Sequence, residues 1–152
     1  MAKLKVGDKA PAFTLESDTD GKISLSKLKG KQVVLYFYPK DNTPGCTIQA
    51  CDFRDLQKDF KKKDTVVLGV SRDSLESHEK FRKDHKLNFP LLSDPDLKVH
   101  KAYGAYGKKM MYGKETTGVI RTTVVIDEKG KIASIGAVKA KGNAEKTLGL
   151  IS

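Results

Sequence analysis

The stretch from Tyr36 to Asp55 has the sequence YFYPKDNTPGCTIQACDFRD and joins a strand to a helix. The apolar run Val33–Phe37 that leads into it predicts a buried strand. A short polar loop follows, after which Thr43 is a suitable helix N-cap and Pro44 suits the first helical position. The pattern therefore places Cys46 in the first turn of a helix that directly follows a strand.

This position favours a reactive role for Cys46. The first turn of a helix offers free backbone N–H groups and the positive end of the helix dipole, which favour the thiolate, and the thiolate is the nucleophilic form of cysteine. At about 100° per residue, Cys46 lies on the side of the helix that carries the apolar residues, whereas Cys51 lies about 140° away from it. The apolar residues of that side are Ala50, Phe53, Leu56 and Phe60. We expect Cys46 to face the sheet and any pocket beside it, and Cys51 to face another environment.

A structural explanation competes with the chemical one, because free cysteine is often a small buried hydrophobe. For Cys51 taken alone, that explanation is favoured. For Cys46, the Thr-Pro-Gly-Cys start at a strand–helix junction favours chemistry.

These residues also carry a family resemblance. Pro39, Thr43 and Cys46 match the Pro-x-x-x-Thr-x-x-Cys signature of the peroxiredoxins. The longer string YPKDNTPGCT, with Cys51 five residues after Cys46, resembles the bacterioferritin comigratory protein (peroxiredoxin Q) branch of that family. Arg121, in the string GVIRTTVVID, lies where the family has its active-site arginine. The resemblance covers nearly the whole chain.

The resemblance implies a mechanism for reducing hydrogen peroxide and organic hydroperoxides. In it, Cys46 becomes a sulfenic acid, and Cys51 resolves that acid to a disulfide. Arg121 holds the thiolate and binds peroxide oxygen, the Thr43 hydroxyl and the backbone N–H of Cys46 bond the same atoms, and Pro39 shields the site. Thioredoxin or a similar dithiol then reduces the disulfide, and no metal, flavin or haem is needed. The chain departs from the usual pattern of the branch at Gln49, Val124 and Asn143, where glutamate, an aromatic residue and histidine are common.

The remaining pattern predicts an α/β protein with a central mixed sheet flanked by helices, which fits the thioredoxin-like fold that the resemblance implies. The expected strands are 13–15 and 23–25, joined by a turn at Asp20–Gly21 as an N-terminal β extension, then 66–70, 91–92, 122–127 and 132–138. The expected helices, besides the one after Thr43, run from Ser74 to about His85, from Asp94 to near Gly104, and from Ala144 to Ile151. Residues 104–118 are expected to form a mobile loop ahead of Arg121.

Length and composition indicate a globular chain. The 152 residues predict one domain, residues 1–152, and no apolar run approaches the roughly 20 residues that span a bilayer. The chain is expected to be cytoplasmic and monomeric, without a membrane or nucleic-acid partner. Its net charge of +10 does not argue strongly for nucleic acid, because only four of the 29 basic residues are arginine.

Three other patterns have simpler structural explanations. His78 and His85 are seven residues apart, too far to share a zinc ion readily, so we expect them to pack beside Phe81 on one helix. The acidic pair in Asp94-Pro95-Asp96 is explained by helix capping. The glycines at 107 and 113 do not have the spacing of a phosphate-binding loop.

Two other function classes remain open at this stage. One is a thioredoxin-type dithiol–disulfide oxidoreductase, which is disfavoured by the Cys-x4-Cys spacing of Cys46 and Cys51. The other is a basic binding or chaperone module in which both cysteines are incidental.

Overall fold

The computed structural model describes residues 4–19 and 21–151 of the chain. Its helices are α1 (Pro44–Asp55), α2 (Gln57–Lys62), α3 (Leu75–His85), α4 (Lys98–Ala102) and α5 (Asn143–Gly149). Its strands are β1 (Thr14–Ser17), β2 (Lys22–Ser24), β3 (Gln32–Phe37), β4 (Thr65–Ser71), β5 (Leu91–Ser93), β6 (Tyr106–Met111), β7 (Lys114–Val119), β8 (Thr122–Ile126) and β9 (Ile132–Ala137). A short 3-10 helix covers Leu25–Leu28.

Seven strands form one mixed sheet in the order β2-β1-β5-β4-β3-β8-β9. The neighbours β3, β4 and β5 are parallel, whereas β8 runs antiparallel to β3 on its other side. The hairpin of β1 and β2 joins the β5 edge of the sheet, which confirms the expected N-terminal β extension. The turn expected at Asp20–Gly21 lies partly outside the described residues.

The central strand β3 is buried on both faces because its side chains alternate between two apolar layers. Val33, Leu35 and Phe37 contribute to one hydrophobic cluster, while Val34 and Tyr36 contribute to the other. The second cluster also contains Cys46, Ala50, Phe53, Phe60, Phe81 and Ala144, from helices α1, α2, α3 and α5. Cys46 therefore lies on the helix-covered face of β3, as the azimuth of its side chain predicted.

The expectation of one continuous helix after Thr43 is wrong at Leu56. There the backbone leaves helical geometry (φ −97°, ψ 6°), and the chain resumes as α2. Neither glycine nor proline occurs at this point, so the sequence carries no ordinary signal for the interruption.

The expected mobile loop at residues 104–118 is also wrong. Residues of β6 and β7 pair antiparallel over six positions, from Tyr106 with Val119 to Met111 with Lys114. The two residues between the strands, Tyr112 and Gly113, both have positive φ angles, 53° and 78°. Such a turn matches the twist of a hairpin, which explains how this polar stretch forms paired strands.

The helix expected to start at Asp94 is shorter and begins later, at Lys98. Asp94 is buried, and its Oδ2 accepts hydrogen bonds from the backbone N–H of His100 at 2.8 Å and from the imidazole Nδ1 of the same residue at 2.7 Å. The carboxylate thus satisfies a free N–H in the first turn of α4, which is the capping role expected of Asp94, although the helix starts four residues later than expected. In the described part of the chain, no helix is long and apolar enough to cross a bilayer.

The packing around β3 predicts that alanine substitution lowers the stability at one strand glycine, Gly69, but not at another, Gly136. An added Cβ at Gly69 would lie 3.0 Å from the Tyr36 hydroxyl and 3.0 Å from Leu91 Cδ2, whereas one at Gly136 would meet nothing within 4 Å. We expect Gly69→Ala to lower the free energy of unfolding by about 1–3 kcal/mol because it overpacks the core. Gly136→Ala, the matched control, should change it by less than about 0.5 kcal/mol. Urea unfolding of the reduced proteins measures both values, and equal midpoints for the two variants would contradict this account of the packing.

Candidate active site

Strand pairing brings two distant residues together at one end of the sheet. Thr122, the first residue of β8, pairs with Phe37, the last residue of β3. Arg121 precedes Thr122 and therefore lies where the chain leaves β3 towards α1. We call the connecting residues 40–43 the active-site loop. The loop leads into α1, of which Cys46 is the third residue.

The side chain of Arg121 bridges two residues of α1. Its Nη2 donates to the Cys46 sulfur at 3.4 Å, and its Nη1 donates to Gln49 Oε1 at 2.6 Å. Cys46 is a free thiol and only 1% exposed. Among the described residues, no carboxylate lies within ion-pair distance of Arg121. The ionisable group that meets this guanidinium is therefore the sulfur.

A chain of neutral buried amides holds Gln49 in turn. Gln49 Nε2 donates to Asn143 Oδ1 at 2.9 Å, and the Thr123 hydroxyl donates to the same oxygen at 2.9 Å. Asn143 Nδ2 also donates to the Thr147 hydroxyl at 3.3 Å. Gln49 is fully buried, and Asn143 is 4% exposed. Because every partner is satisfied inside the protein, the network gives Arg121 a defined direction.

Gly45 leaves the space that the guanidinium occupies. An added Cβ at this position would lie 3.2 Å from Arg121 Nη2 and 3.7 Å from Ala140 Cβ. Few real Cβ contacts are that short, so a larger residue would push the guanidinium away from Cys46. The Pro-Gly-Cys string thus has a local packing reason as well as a helix-start reason.

Thr43 and Pro39 lie beside the site in different ways. Thr43 occupies the N-cap position of α1 as predicted, but its hydroxyl does not cap the helix. It donates instead to the carbonyl of Lys40 at 2.8 Å, which closes the active-site loop on itself. Pro39 is half-buried and immediately precedes the loop.

Comparisons with known proteins relate nearly the whole chain to one family. Residues 6–135 match the AhpC/TSA family. A Helicobacter pylori protein described as a peroxiredoxin of the bcp type is 52% identical over 149 residues, 97% of this chain and 98% of its own length. The structure of a Xylella fastidiosa PrxQ mutant superposes with a TM-score of 0.90 at 34% identity, over 98% of this chain and 96% of that one. A Xanthomonas campestris bacterioferritin comigratory protein, studied for its alkyl peroxide reduction activity, gives a TM-score of 0.84 at 36% identity, over 90% and 88% of the two chains.

The chain belongs to the AhpC/TSA family of peroxiredoxins. The thioredoxin-like fold expected from the sequence is thereby confirmed, and so is the thiol peroxidase class of activity. This result favours the peroxidase over both alternative classes, the dithiol–disulfide oxidoreductase and the basic binding module.

In this peroxiredoxin, Cys51 lies in the same helix as Cys46, is half-buried and is a free thiol. Beneath α1, the ring of Tyr36 stacks on Phe53 with ring centroids 4.6 Å apart. Burial, with a smaller contribution from the nearby Cys46, raises the pKa of Tyr36 well above its usual value. The Tyr36 hydroxyl is therefore neutral, and within the described residues it has no hydrogen-bond partner.

The structure also reveals a polar cluster beside the active-site loop. The ligand-type atoms of Asp41, Asp73 and His78 lie within 4.8 Å of one another, the only such group among the described residues. Hydrogen bonds already engage these atoms with one another and with Ser71 and Ser77, so we assign the cluster to hydrogen bonding rather than to metal binding.

Sequence reasoning missed His78 as part of this region. His85 packs edge-on against Phe81 at 5.4 Å, as expected for both histidines, but His78 is fully buried and bonded to Asp41. One signal was available, because His78 lies three residues before Phe81 and so shares its buried helix face.

The amide network predicts a positioning role for Gln49. Gln49→Met keeps the size of the side chain but removes the oxygen that receives Arg121 Nη1, so we expect the rate of Cys46 oxidation by peroxide to fall about tenfold, the equivalent of about 1.4 kcal/mol. Arg121→Met, which removes the donor itself, should cost on the order of 10²–10³ in rate. Rapid-mixing measurement of the first oxidation step compares them. A Gln49→Met rate within twofold of wild type, beside a large loss for Arg121→Met, would show that Arg121 needs no support from the network.

Proposed function

We propose that this peroxiredoxin reduces hydrogen peroxide and organic hydroperoxides with Cys46 as the peroxidatic residue. The observation that supports the proposal most directly is the 3.4 Å hydrogen bond from Arg121 Nη2 to the Cys46 sulfur at the start of α1. The activity of the Xanthomonas relative on alkyl peroxides supports the inclusion of organic hydroperoxides.

The first step is a displacement at oxygen. The thiolate sulfur of Cys46 attacks one peroxide oxygen, the O–O bond breaks, and the other oxygen leaves as water or an alcohol after taking up a proton. The product is a sulfenic acid on Cys46. Charge develops on the departing oxygen, and a fixed guanidinium that already contacts the sulfur is well placed to stabilise it.

Arg121 supplies the larger share of catalysis in this proposal. Forming the thiolate accounts for only part of the acceleration, because a more readily ionised sulfur is also a weaker nucleophile. Losing one donor to a developing oxyanion typically costs on the order of 10²–10³ in rate, which is the scale of effect assigned to Arg121. Thr43, freed from Lys40, and the backbone N–H of Cys46 add hydrogen bonds to the same oxygens, and Pro39 screens them from water.

In the second step, the Cys51 thiol attacks the sulfenic sulfur of Cys46, which releases water and leaves an intramolecular disulfide. Thioredoxin or a similar dithiol then reduces the disulfide by thiol–disulfide exchange and is itself oxidised. The protein would thus be an atypical two-cysteine enzyme that acts as a monomer in the cytoplasm, and no metal, flavin or haem enters the cycle.

Two cysteine variants separate the steps of this cycle. Cys46→Ser should abolish peroxide-dependent NADPH oxidation through thioredoxin and thioredoxin reductase, because it removes the nucleophile. Cys51→Ser should still consume about one equivalent of peroxide but should not turn over with thioredoxin. Near-wild-type turnover by Cys46→Ser would contradict the assignment of the nucleophile. Normal turnover by Cys51→Ser would contradict only the resolving role.

Helix geometry predicts that α1 must open during the cycle. Cα atoms five residues apart on an ideal helix are about 8.6 Å apart, with side chains about 140° apart, whereas a disulfide needs roughly 4.4–6.8 Å. Both cysteines lie within the continuous helix Pro44–Asp55, so the disulfide can form only if turns between them unwind. We expect amides from Cys46 to Phe53 to lose hydrogen-exchange protection on oxidation, while those of β4 keep theirs. Retained helical protection in protein that mass spectrometry shows to hold the disulfide would rule out the unwinding.

A further inference from the structure

Asp41, in the active-site loop, is bonded to three surrounding segments. Its Oδ1 accepts from the Tyr38 hydroxyl at 2.6 Å, and its Oδ2 accepts from the Ser77 hydroxyl at 2.8 Å. The same Oδ2 lies 2.7 Å from His78 Nδ1, and the Asp41 backbone N–H donates to Asp73 Oδ2 at 2.8 Å. Asp41 is 5% exposed and His78 is fully buried, so water does not replace these bonds easily.

The partners of His78 show that the pair holds a proton. Nε2 lies 2.9 Å from the carbonyl oxygen of Leu92, which can only accept, so Nε2 carries a hydrogen. At 2.7 Å, Nδ1 and the Asp41 oxygen cannot face each other as two acceptors, so a second proton lies between them. Losing either ring proton would leave two lone pairs opposed in a buried site, at Asp41 or at the Leu92 carbonyl, so the imidazole would no longer fit between both partners.

This contact lies one short segment away from Cys46. Asn42, the residue after Asp41, adopts a left-handed conformation with φ 59°, and Thr43 then occupies the N-cap position of α1. The carbonyl of Thr43 accepts the backbone N–H of Thr47 at 2.9 Å, which is part of the first turn that contains Cys46. Through this chain of fixed backbone, the position of Asp41 determines where α1 starts.

We propose that the Asp41–His78 pair is a proton-dependent positioning element for Cys46. The doubly protonated imidazole, held between Asp41 and the Leu92 carbonyl, keeps the active-site loop, and with it the first turn of α1, in the geometry that reacts with peroxide. This inference rests on the function proposed above, since it takes Cys46 to be the residue that peroxide oxidises.

Electrostatics give the direction of the pH dependence. Burial acts to lower the pKa of His78, but the hydrogen bond and the charge of Asp41, the carbonyl of Leu92 and the charge of Asp73 together raise it above the usual value. A raised pKa means that the stabilisation is complete below about pH 6.5, the ordinary imidazole value, and is lost as the pH rises through the pKa of the folded protein. The proposal therefore concerns the alkaline side of the activity profile.

Among the described residues, the titratable groups facing His78 come from three elements. Asp41 approaches from the active-site loop and Asp73 from the segment before α3, and both are acidic. Tyr38, whose ring lies 6.5 Å from the imidazole, has a pKa raised well above its usual value by burial and by Asp41, so its hydroxyl remains a donor. The two carboxylates favour a protonated His78, and the neutral Tyr38 does not oppose it.

The Asp41→Asn variant tests the proposal with little change in shape. Its amide nitrogen can donate to a neutral His78 Nδ1 and to the Ser77 hydroxyl, while its oxygen still accepts from Tyr38, so the contact no longer needs an ionisable proton. The assay measures Cys46 oxidation by hydrogen peroxide in rapidly quenched, alkylated samples by mass spectrometry, from about pH 6 to about pH 9. We expect the wild-type rate to fall about tenfold on the alkaline side, as for a misplaced reacting group, and the Asp41→Asn rate to stay level there.

Asp94→Asn is the matched control, because Asp94 and His100 form a second buried carboxylate–imidazole pair, with a contact of 2.7 Å. The ring of His100 packs against Phe37, whose side chain points to the face of β3 opposite Cys46. This variant should keep the alkaline fall of the wild type. The proposal would be overturned if the rate of Cys46 oxidation still fell on the alkaline side in Asp41→Asn. It would also be overturned if that fall were absent from both Asp41→Asn and Asp94→Asn.

Histidine NMR of the wild-type protein provides a test that does not depend on a variant of the pair. In protein labelled with ¹⁵N-histidine, His78 should show both ring nitrogens protonated near neutral pH, and it should titrate with the same midpoint as the alkaline fall in rate. The other two histidines, His85 and His100, are assigned by single His→Gln variants. A singly protonated His78 throughout, or a clearly different midpoint, would refute the positioning role. If Cys46 is not oxidised at any pH, it is the proposed function that fails. The oxidation assay thus tests the proposed function, while the NMR titration tests the role of His78.

Discussion

The pairing of β8 with the carboxyl end of β3 is the constraint on which the site depends. Because the two strands are antiparallel, the first residue of β8 meets the last residue of β3, and Arg121 is delivered to the start of α1. All five residues of β8 are buried, and its side chains alternate between two apolar layers, so a shift of one residue would exchange the two faces and disrupt the packing of both layers. The energy that fixes the position of Arg121 is therefore the burial energy of the central sheet.

The electrostatic character of the site follows from what surrounds Arg121. Gln49 and Asn143 direct the guanidinium through neutral hydrogen bonds and leave its charge uncancelled. A carboxylate in the same place would orient the guanidinium equally well, but it would compete with the Cys46 sulfur for its charge. These amides thus separate two functions that an ion pair combines: holding the arginine still and neutralising it.

Support for the cysteine at the start of α1 comes from two sides, and only one of them, the cluster around Asp41, lies wholly outside the helical turns between the two cysteines, because Gln49 of the amide network lies between them. The amide network reaches α1 from β8 and α5, and the Asp41 cluster reaches the active-site loop from β4, α3 and β5. The hydrogen-bond partners of Asp41 are Tyr38, Asp73, Ser77 and His78, all of them outside α1. The loop can therefore stay in place while turns of α1 open. This division matches the proposed cycle, in which the site is rigid towards peroxide and α1 rearranges to form a disulfide.

The sequence by itself determined the features whose causes are local. The strand, the loop and the helix start around Cys46 follow from an apolar run, a residue suited to the N-cap position and a proline at the first helical position. The structure has the strand, the loop and the helix start, although the Thr43 hydroxyl bonds Lys40 and not the helix. The inward direction of Cys46 follows from helical periodicity. The hairpin of β8 and β9 follows from two apolar runs separated by a glycine-containing turn. Arg121 could be named only because a family signature marked it, since a lone arginine before a strand has no distinctive local pattern.

Tertiary structure decided everything that depends on contacts between distant residues. Gln49 meets Asn143 across 94 positions of sequence, and Asp41 meets His78 across 37. No periodicity encodes such distances. The pairing of β6 with β7 arises from a turn with two positive φ angles in a stretch whose composition is typical of a loop. Local propensity acts over a few residues, whereas the identity of a buried polar partner depends on where the sheet register and helix packing bring the chain, so only the folded molecule could reveal it.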